Sequence, residues 1–218
     1  MKLSFVLNGR PVAVETAPDR RAVDLLRELG ALGPEPKGAT DSTHATGAES
    51  LHAVSDRKDV KEGCGTGECG ACSVLVDGVH KLSCLLLAAQ LEGRELTTPS
   101  GLGTPEAPHA IQRAFAERGA VQCGFCSPGM TIAAAALLAE NPAPAREDIR
   151  RAISGNLCRC TGYVMIVDAV EAAAQELRRE VSPGNGPGRN DGTSASPNAS
   201  QQPGQKFGRA PGRKAGKP

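Results

Sequence analysis

The chain of 218 residues has few aromatic residues, little net charge and no long apolar run. It contains no Trp, one Tyr and four Phe, which argues against a surface that stacks nucleic-acid bases. The formal net charge of +1 argues against nucleic acid or acidic lipid as the main partner of a folded domain. No segment approaches the ~18 consecutive apolar residues that a membrane-spanning helix needs.

The first fifteen residues, MKLSFVLNGRPVAVE, resemble neither a signal peptide nor a membrane anchor. They alternate like two strands and contain the turn dipeptide Asn8–Gly9, so they predict a β-hairpin. We therefore expect a cytoplasmic protein, in which thiols stay reduced. In that compartment clustered cysteines bind metal more often than they form disulfides.

Cysteine, by contrast, is well represented, and the eight cysteines fall into two groups of four. The first set has the spacing C-x4-C-x2-C-x11-C and consists of Cys64, Cys69, Cys72 and Cys84. The second set is a C-x2-C followed much later by a C-x-C and consists of Cys123, Cys126, Cys158 and Cys160. This division leaves no cysteine over.

The first set has the spacing of plant-type ferredoxins, in which four thiolates hold a [2Fe–2S] cluster. Glycines interleave with these cysteines, at Gly63, Gly65, Gly67 and Gly70. Glycine permits positive φ, so the loop can bring backbone N–H groups close to sulfur. A structural zinc site is the alternative, but zinc ligands usually come as two short pairs. The pattern favours the cluster.

The second set is less specific by its spacing. Cys123 and Cys126 precede one predicted helix, and Cys158 and Cys160 precede another. Helix N-termini favour thiolates, so two of them could hold a second cluster. From the spacing alone, a disulfide pair or a zinc site remains open.

The order of the predicted elements indicates an α+β protein with two domains in series. Strand patterns dominate residues 1–99 and helical patterns dominate residues 100–181, with one cysteine set in each part. Residues 34–60 are long and aperiodic for an internal loop, which predicts a mobile insertion. Residues 182–218 are rich in Gly, Pro, Ser and Asn with several basic residues, a composition typical of a disordered tail.

Some local features are also predicted. The first helix is expected to be capped by Asp19 and ended by Gly30. Strands are expected in CSVLVDG and near RELTT, and the last helix is expected to begin near Val164. His80 and His109 have no partner pattern and are interpreted as surface or turn residues.

Four ordered motifs resemble one known family. They are KEGCGTGECGACSVLVDG, SCLLLAAQLEGRELTT, VQCGFCSPGM and ISGNLCRCTGYVMIVDAV. Together they are similar to the iron–sulfur subunit of the molybdenum hydroxylases, the xanthine dehydrogenase, aldehyde oxidase and carbon monoxide dehydrogenase family. The resemblance covers residues 1–33 and 60–181. It implies a β-grasp ferredoxin-like domain followed by a four-helix domain, each with one [2Fe–2S] cluster.

The resemblance also implies a function and partners. Such a subunit passes electrons from molybdopterin on a large subunit, through both clusters, to FAD on a medium subunit or to another acceptor. The molybdopterin is expected as its cytosine dinucleotide. Gln122 matches the family glutamine that hydrogen-bonds the pterin, and no catalytic residue is expected on this chain.

Two other functions are alternatives to this one. A free-standing ferredoxin-like carrier needs neither the second cysteine set nor a pterin contact at Gln122. A zinc-binding adaptor with a disordered tail would need zinc in place of iron. Both are less consistent with the four motifs than an electron-transfer subunit is.

Overall fold

The computed structural model describes residues 1–30 and 59–181. A mixed sheet comes first in the chain and a group of helices follows it, so the α+β class is confirmed. The predicted tail and residues 34–58 of the predicted insertion lie outside the described residues.

The sheet has five strands in the order β2-β1-β5-β3-β4. The strands are β1 (Lys2–Leu7), β2 (Arg10–Glu15), β3 (Ser73–Val76), β4 (Val79–Leu82) and β5 (Glu95–Thr97). β1 pairs with β5 in parallel, and the other neighbours are antiparallel. Alternate residues of β1 are buried beneath the sheet, as the period of a half-buried strand requires.

Two tight turns join the hairpins of this sheet. Asn8 and Gly9 have φ of 53° and 79°, which is the left-handed backbone that these two residue types favour in hairpin turns. This turn was predicted. Asp77 and Gly78, with φ of 50° and 76°, make a second such turn and lead into β4, a strand that the sequence prediction missed.

Helix α1 (Ala22–Leu29) packs its apolar stripe against the sheet, and Gly30, at φ 59°, ends it as predicted. The predicted cap by Asp19 is wrong. The Ala22 N–H donates to the carbonyl oxygen of Leu86 at 2.8 Å. Backbone pairing with a distant segment therefore satisfies the first donor of the helix, which a capping side chain would otherwise serve.

The predicted insertion ends two residues too late. Val60 is buried in the core of the sheet, and the Asp59 carboxylate accepts hydrogen bonds from the Thr98 hydroxyl at 2.7 Å and the Ser100 N–H at 2.8 Å. Residues 59 and 60 thus belong to the folded core. A single apolar residue beside a single acid gives no period by which sequence could recognise this.

The helices after the sheet enclose a second core. They are α2 (Pro99–Leu102), α3 (Ala110–Glu117), α4 (Ser127–Glu140), α5 (Arg146–Ile153) and α6 (Val164–Val181). The core contains fully buried side chains of Ile111, Phe115, Ile149, Ile153 and Ile166. Within the described ranges no helix combines the length and apolarity needed to cross a membrane.

Helix α4 joins the two cores. It packs against α3 and α5 on one side and against β3 and β4 on the other. Its sequence, SPGMTIAAAALLAE, is apolar around most of its circumference, as expected of a helix that is covered on several faces. The first turn of α4 therefore lies between the segments that carry the two cysteine sets.

Candidate iron–sulfur sites

The cysteines of the first set are brought together by a loop and a hairpin. Three of them lie in the loop that leads into β3. The fourth, Cys84, lies in a short 3-10 helix (Ser83–Leu85) directly after β4. Because β3 and β4 pair with Ser73 opposite Leu82, the hairpin returns Cys84 to the side of Cys72.

Within this set the thiols form two pairs. The Cys64 thiol contacts the Cys69 thiol, and the Cys72 thiol contacts the Cys84 thiol. Cys72 and Cys84 are buried, whereas Cys64 is exposed. One pair is thus enclosed by the sheet core, and the other pair lies towards the surface.

Three of the four glycines of this loop have the positive φ expected of them. Gly65, Gly67 and Gly70 have φ of 69°, 85° and 69°. A Cβ on Gly67 would lie 2.6 Å from Cδ1 of Leu85. Such close approach lets backbone N–H groups reach sulfur. The Thr66 N–H donates to the Cys64 sulfur, with 3.4 Å between nitrogen and sulfur.

The two pairs differ in their electrostatic surroundings. The hydrogen bond from the Thr66 side chain, together with backbone N–H groups of Thr66 and Cys69, lowers the pKa of Cys64 to about 6. Burial, followed by the neighbouring Cys72 thiol, raises the pKa of Cys84 to about 11. The Gly67 N–H opposes that rise by bonding the Cys84 sulfur.

The second set is assembled from two turns, one before α4 and one before α6. The sulfur atoms of Cys123 and Cys160 lie 3.6 Å apart, and the Cys126 and Cys158 thiols contact each other. Again four thiols form two pairs. Cys123 and Cys160 are exposed, while the other pair is partly covered.

Hydrogen bonds shape the loop that carries Cys158. The Tyr163 hydroxyl accepts from the Cys158 N–H at 2.8 Å and donates to the carbonyl oxygen of Asn156 at 3.2 Å. Burial is the largest single influence on the Cys158 pKa and raises it. Hydrogen bonds from the Thr161 side chain, from backbone N–H groups and from Cys126 outweigh burial and lower that pKa to about 7. In Cys126 burial dominates and raises the pKa to about 12.

The paired arrangement of the thiols fits a two-iron cluster. A [2Fe–2S] cluster has two irons and four thiolate ligands, hence two thiolates for each iron, whereas a zinc site gathers four ligands around one ion. In the part of the chain that the structure describes, no group of three or more Cys, His, Asp or Glu side chains is arranged to hold one metal ion. The thiol pairs, the glycine loop and the N–H groups directed at sulfur fit a cluster. All eight thiols are free, so no disulfide joins the second set.

The two sets come close at one point. The N–H of Leu157, next to Cys158, donates to the carbonyl oxygen of Cys69 at 2.9 Å. Asn156 is buried beside this bond. A lone Asn after Gly155 is an ordinary helix stop, so the sequence does not mark Asn156 as a contact between the two sets.

Two predicted residues have other surroundings. Gln122 is exposed next to the exposed Cys123. A residue that contacts a partner subunit has to be exposed before the subunits assemble.

His80 was interpreted as a surface or turn residue, but it lies in β4 and is partly buried, with Nε2 2.8 Å from the Ser73 hydroxyl oxygen. Burial lowers the pKa of His80.

Comparison with known proteins identifies the family. Residues 98–171 match the family model described as a [2Fe–2S] binding domain. The chain is 41% identical over 173 residues to the nicotinate dehydrogenase small FeS subunit of Eubacterium barkeri, covering 79% of this chain and 94% of that protein. It is 43% identical over 171 residues to the xanthine dehydrogenase iron–sulfur-binding subunit of Escherichia coli O157:H7, covering 77% of this chain and 91% of that one.

Solved structures agree with these relatives. Quinoline 2-oxidoreductase from Pseudomonas putida 86 has a chain that superposes with a TM-score of 0.67 at 39% identity, covering 82% of this chain and 96% of that chain. In the aldehyde oxidoreductase from Desulfovibrio desulfuricans ATCC 27774 the match has a TM-score of 0.67 at 37% identity and covers 17% of a much longer chain.

The chain belongs to the iron–sulfur small subunits of the molybdenum hydroxylases. Its function is electron transfer in a molybdenum-dependent oxidoreductase. This confirms the resemblance and the function predicted from the four motifs.

Proposed function

We propose that the first and second cysteine sets each hold one [2Fe–2S] cluster and that all eight cysteines are ligands. When bound, each cluster supplies a one-electron carrier. The observation that carries the proposal is that each set divides into two thiol pairs. The protein contributes the ligands, the hydrogen bonds to sulfur and the insulation.

Residues 1–99 and 100–181 are proposed as a β-grasp ferredoxin-like domain and a four-helix domain. Two observations support this division. One hydrophobic core is built by the sheet and α1, and the other by α3 to α6. Each core encloses part of one cysteine set, since Cys72 and Cys84 belong to the first core and Cys126 and Cys158 pack against the second.

The second set is proposed to face molybdopterin on a large subunit. Its exposed pair, Cys123 and Cys160, lies beside exposed Gln122. Exposed apolar side chains neighbour the same set in the sequence, namely Val121, Phe125, Leu157, Val164 and Met165. Exposed apolar residues around a functional group favour a surface that a partner protein covers, and Gln122 would there hydrogen-bond the pterin.

The first set is proposed to face FAD on a medium subunit, or another acceptor. Its outer pair contains the exposed Cys64, and exposed Leu85 lies against the same loop. The hydrogen bond from the Leu157 N–H to the Cys69 carbonyl connects a ligand of the outer pair of the first set with the residue next to Cys158 of the second set. The cytoplasmic location predicted from the sequence is kept as part of this proposal.

Paired cysteine variants test the assignment of ligands. Cys158→Ala should remove one EPR signal of the reduced chain and about two irons, and should leave the other signal unchanged. Cys84→Ala should remove the complementary signal. Loss of both signals in either variant would contradict the separation of the ligand sets, and zinc in place of iron in the parent chain would favour the adaptor.

A further inference from the structure

Three segments that carry cluster ligands meet in one buried region. Gly70 lies in the loop of the first set, and Gly129 lies in the first turn of α4. Asn156 lies two residues before Cys158 of the second set. Asn156 is 1% exposed. This region is where the backbone of the first loop touches both turns that carry the second set.

Asn156 binds the first loop through its amide group. Its Nδ2 donates to the carbonyl oxygen of Gly70 at 2.9 Å and to the hydroxyl oxygen of Ser73 at 3.2 Å. The Ser73 hydroxyl in turn donates to the Gly70 carbonyl at 2.7 Å. The His80 Nε2 lies 2.8 Å from the same Ser73 hydroxyl oxygen. The four residues thus form one connected network.

The contact is too close for any side chain at the two glycines. A Cβ on Gly70 would lie 2.4 Å from the carbonyl oxygen of Gly155, and a Cβ on Gly129 would lie 2.4 Å from the carbonyl oxygen of Gly70. Both obstacles are backbone atoms, which cannot rotate away. The backbone of the first loop is therefore held directly against the backbone that supports the second set.

The amide oxygen of Asn156, Oδ1, has different surroundings from Nδ2. Among the described residues, Asn156 Oδ1 is buried with no hydrogen-bond partner, and an unsatisfied buried acceptor costs about 1–3 kcal/mol. The reverse orientation of the amide would place Oδ1 against the Gly70 carbonyl, so it is excluded. The contribution of Asn156 lies in the two hydrogen bonds that Nδ2 donates.

We propose that Asn156 is a positioning residue that fixes the separation and orientation of the two cysteine sets, and thereby the rate of electron transfer between them. The inference rests on the proposed function. Asn156 anchors the Gly70 carbonyl, and the next residue, Leu157, anchors the carbonyl of Cys69. Two consecutive residues before Cys158 thus hold two consecutive carbonyls of the first loop, which determines the path length between the sets.

The test compares iron-loaded full-length chains. Asn156→Ala removes both donated hydrogen bonds, and Asn156→Asp keeps the shape but replaces the donor with an acceptor. The matched control is Ser154→Ala, because the Ser154 hydroxyl is exposed and bonds only the Arg151 carbonyl within the same segment. The readouts are iron content, the EPR spectrum of each cluster, and the magnetic interaction between the two reduced clusters.

We expect both Asn156 variants to keep the iron content and the separate EPR spectra, while the inter-cluster interaction weakens and inter-cluster electron transfer slows several-fold. Ser154→Ala should match the parent chain. An unchanged interaction in iron-replete Asn156 variants would overturn the inference. So would loss of a cluster in both variants, since Asn156 would then be needed for assembly. These outcomes can be distinguished from failure of the proposed function, because in that case the parent chain itself would lack two cluster signals.

Discussion

At the scale of single residues, the thiols of each set are not equivalent. Cys64 and Cys158 have pKa values lowered by hydrogen bonds, to about 6 and about 7. Cys84 and Cys126 have pKa values raised mainly by burial, to about 11 and about 12. Cluster ligands are thiolates, so binding of a cluster would release the protons of Cys84 and Cys126.

Gln122 gives a prediction at this scale. The Gln122→Ala variant should weaken the magnetic coupling to the molybdenum centre. The reason is that pterin edge groups would lose a hydrogen-bond partner in a buried interface, which costs about 1–3 kcal/mol of interaction free energy. Iron content should not change, since Gln122 is exposed in the chain itself. The measurement is turnover of the assembled complex together with the magnetic coupling between molybdenum and the nearer cluster.

The control for this variant is Gln175→Ala, which truncates an exposed glutamine on α6. It should leave turnover and coupling at the level of the parent complex. If Gln122→Ala behaves in the same way as the control, Gln122 is a surface residue with no pterin contact.

At the scale of secondary-structure elements, the decisive feature is how closely the first loop approaches its neighbours. Gly70 and Gly78 have similar φ angles, 69° and 76°. A Cβ on Gly70 meets backbone atoms, whereas a Cβ on Gly78 meets nothing within 4 Å. The two positions therefore separate backbone strain from steric conflict.

Substituting alanine at each position measures that difference. Gly78→Ala should destabilise the fold through the left-handed backbone alone, by about 1–2 kcal/mol. Gly70→Ala should lose a further ~1–3 kcal/mol, which is typical of overpacking, and should disturb the magnetic interaction between clusters. Denaturant unfolding of both variants gives the comparison. Equal losses of unfolding free energy would mean that the close contact at Gly70 relaxes without cost.

The elements also show how far sequence reasoning reached. Hairpin β1–β2, the end of α1 at Gly30 and the start of α6 at Val164 were predicted correctly, because turn residues and periodic apolar positions are local signals. Strand β4 and the N-terminus of α1 were missed. β4 pairs with the adjacent strand β3 across the Asp77–Gly78 turn, so there a local hairpin signal was overlooked. The N-terminus of α1 depends instead on a partner distant in sequence, the Leu86 carbonyl that accepts from Ala22.

The candidate sites divide in the same manner. Spacing was enough to separate the cysteines into two sets, and the structure keeps the same division. Spacing was not enough to reveal the pairing of thiols within a set or the role of Asn156. Those depend on a hairpin and on contacts between residues more than 80 positions apart.

At the scale of the whole molecule, relatives with different substrates share this chain type. Subunits named for nicotinate and xanthine dehydrogenases are 41% and 43% identical to it, and the chain of quinoline 2-oxidoreductase is 39% identical. Chains of similar identity to this one thus occur in proteins named for three different substrates.

The boundary of the predicted insertion can be tested on the intact chain. Deleting residues 34–58 should leave the iron content and the unfolding free energy close to the parent values. Extending the deletion to residue 60 should destabilise the fold by about 2–5 kcal/mol, because it removes buried Val60 and the Asp59 carboxylate that binds Thr98 and Ser100. Thermal unfolding and iron analysis of both deletions provide the measurement. Loss of iron in the shorter deletion would show that the segment belongs to the ferredoxin-like fold.

The central claim is that one chain carries two separate [2Fe–2S] clusters, and its most direct test is metal and sulfide analysis combined with EPR. The purified chain should contain about four irons and about four acid-labile sulfides, two of each per cluster. After reduction it should give two distinguishable EPR signals. About two irons with one signal in fully reconstituted protein, or a colourless protein that holds zinc, would contradict the account.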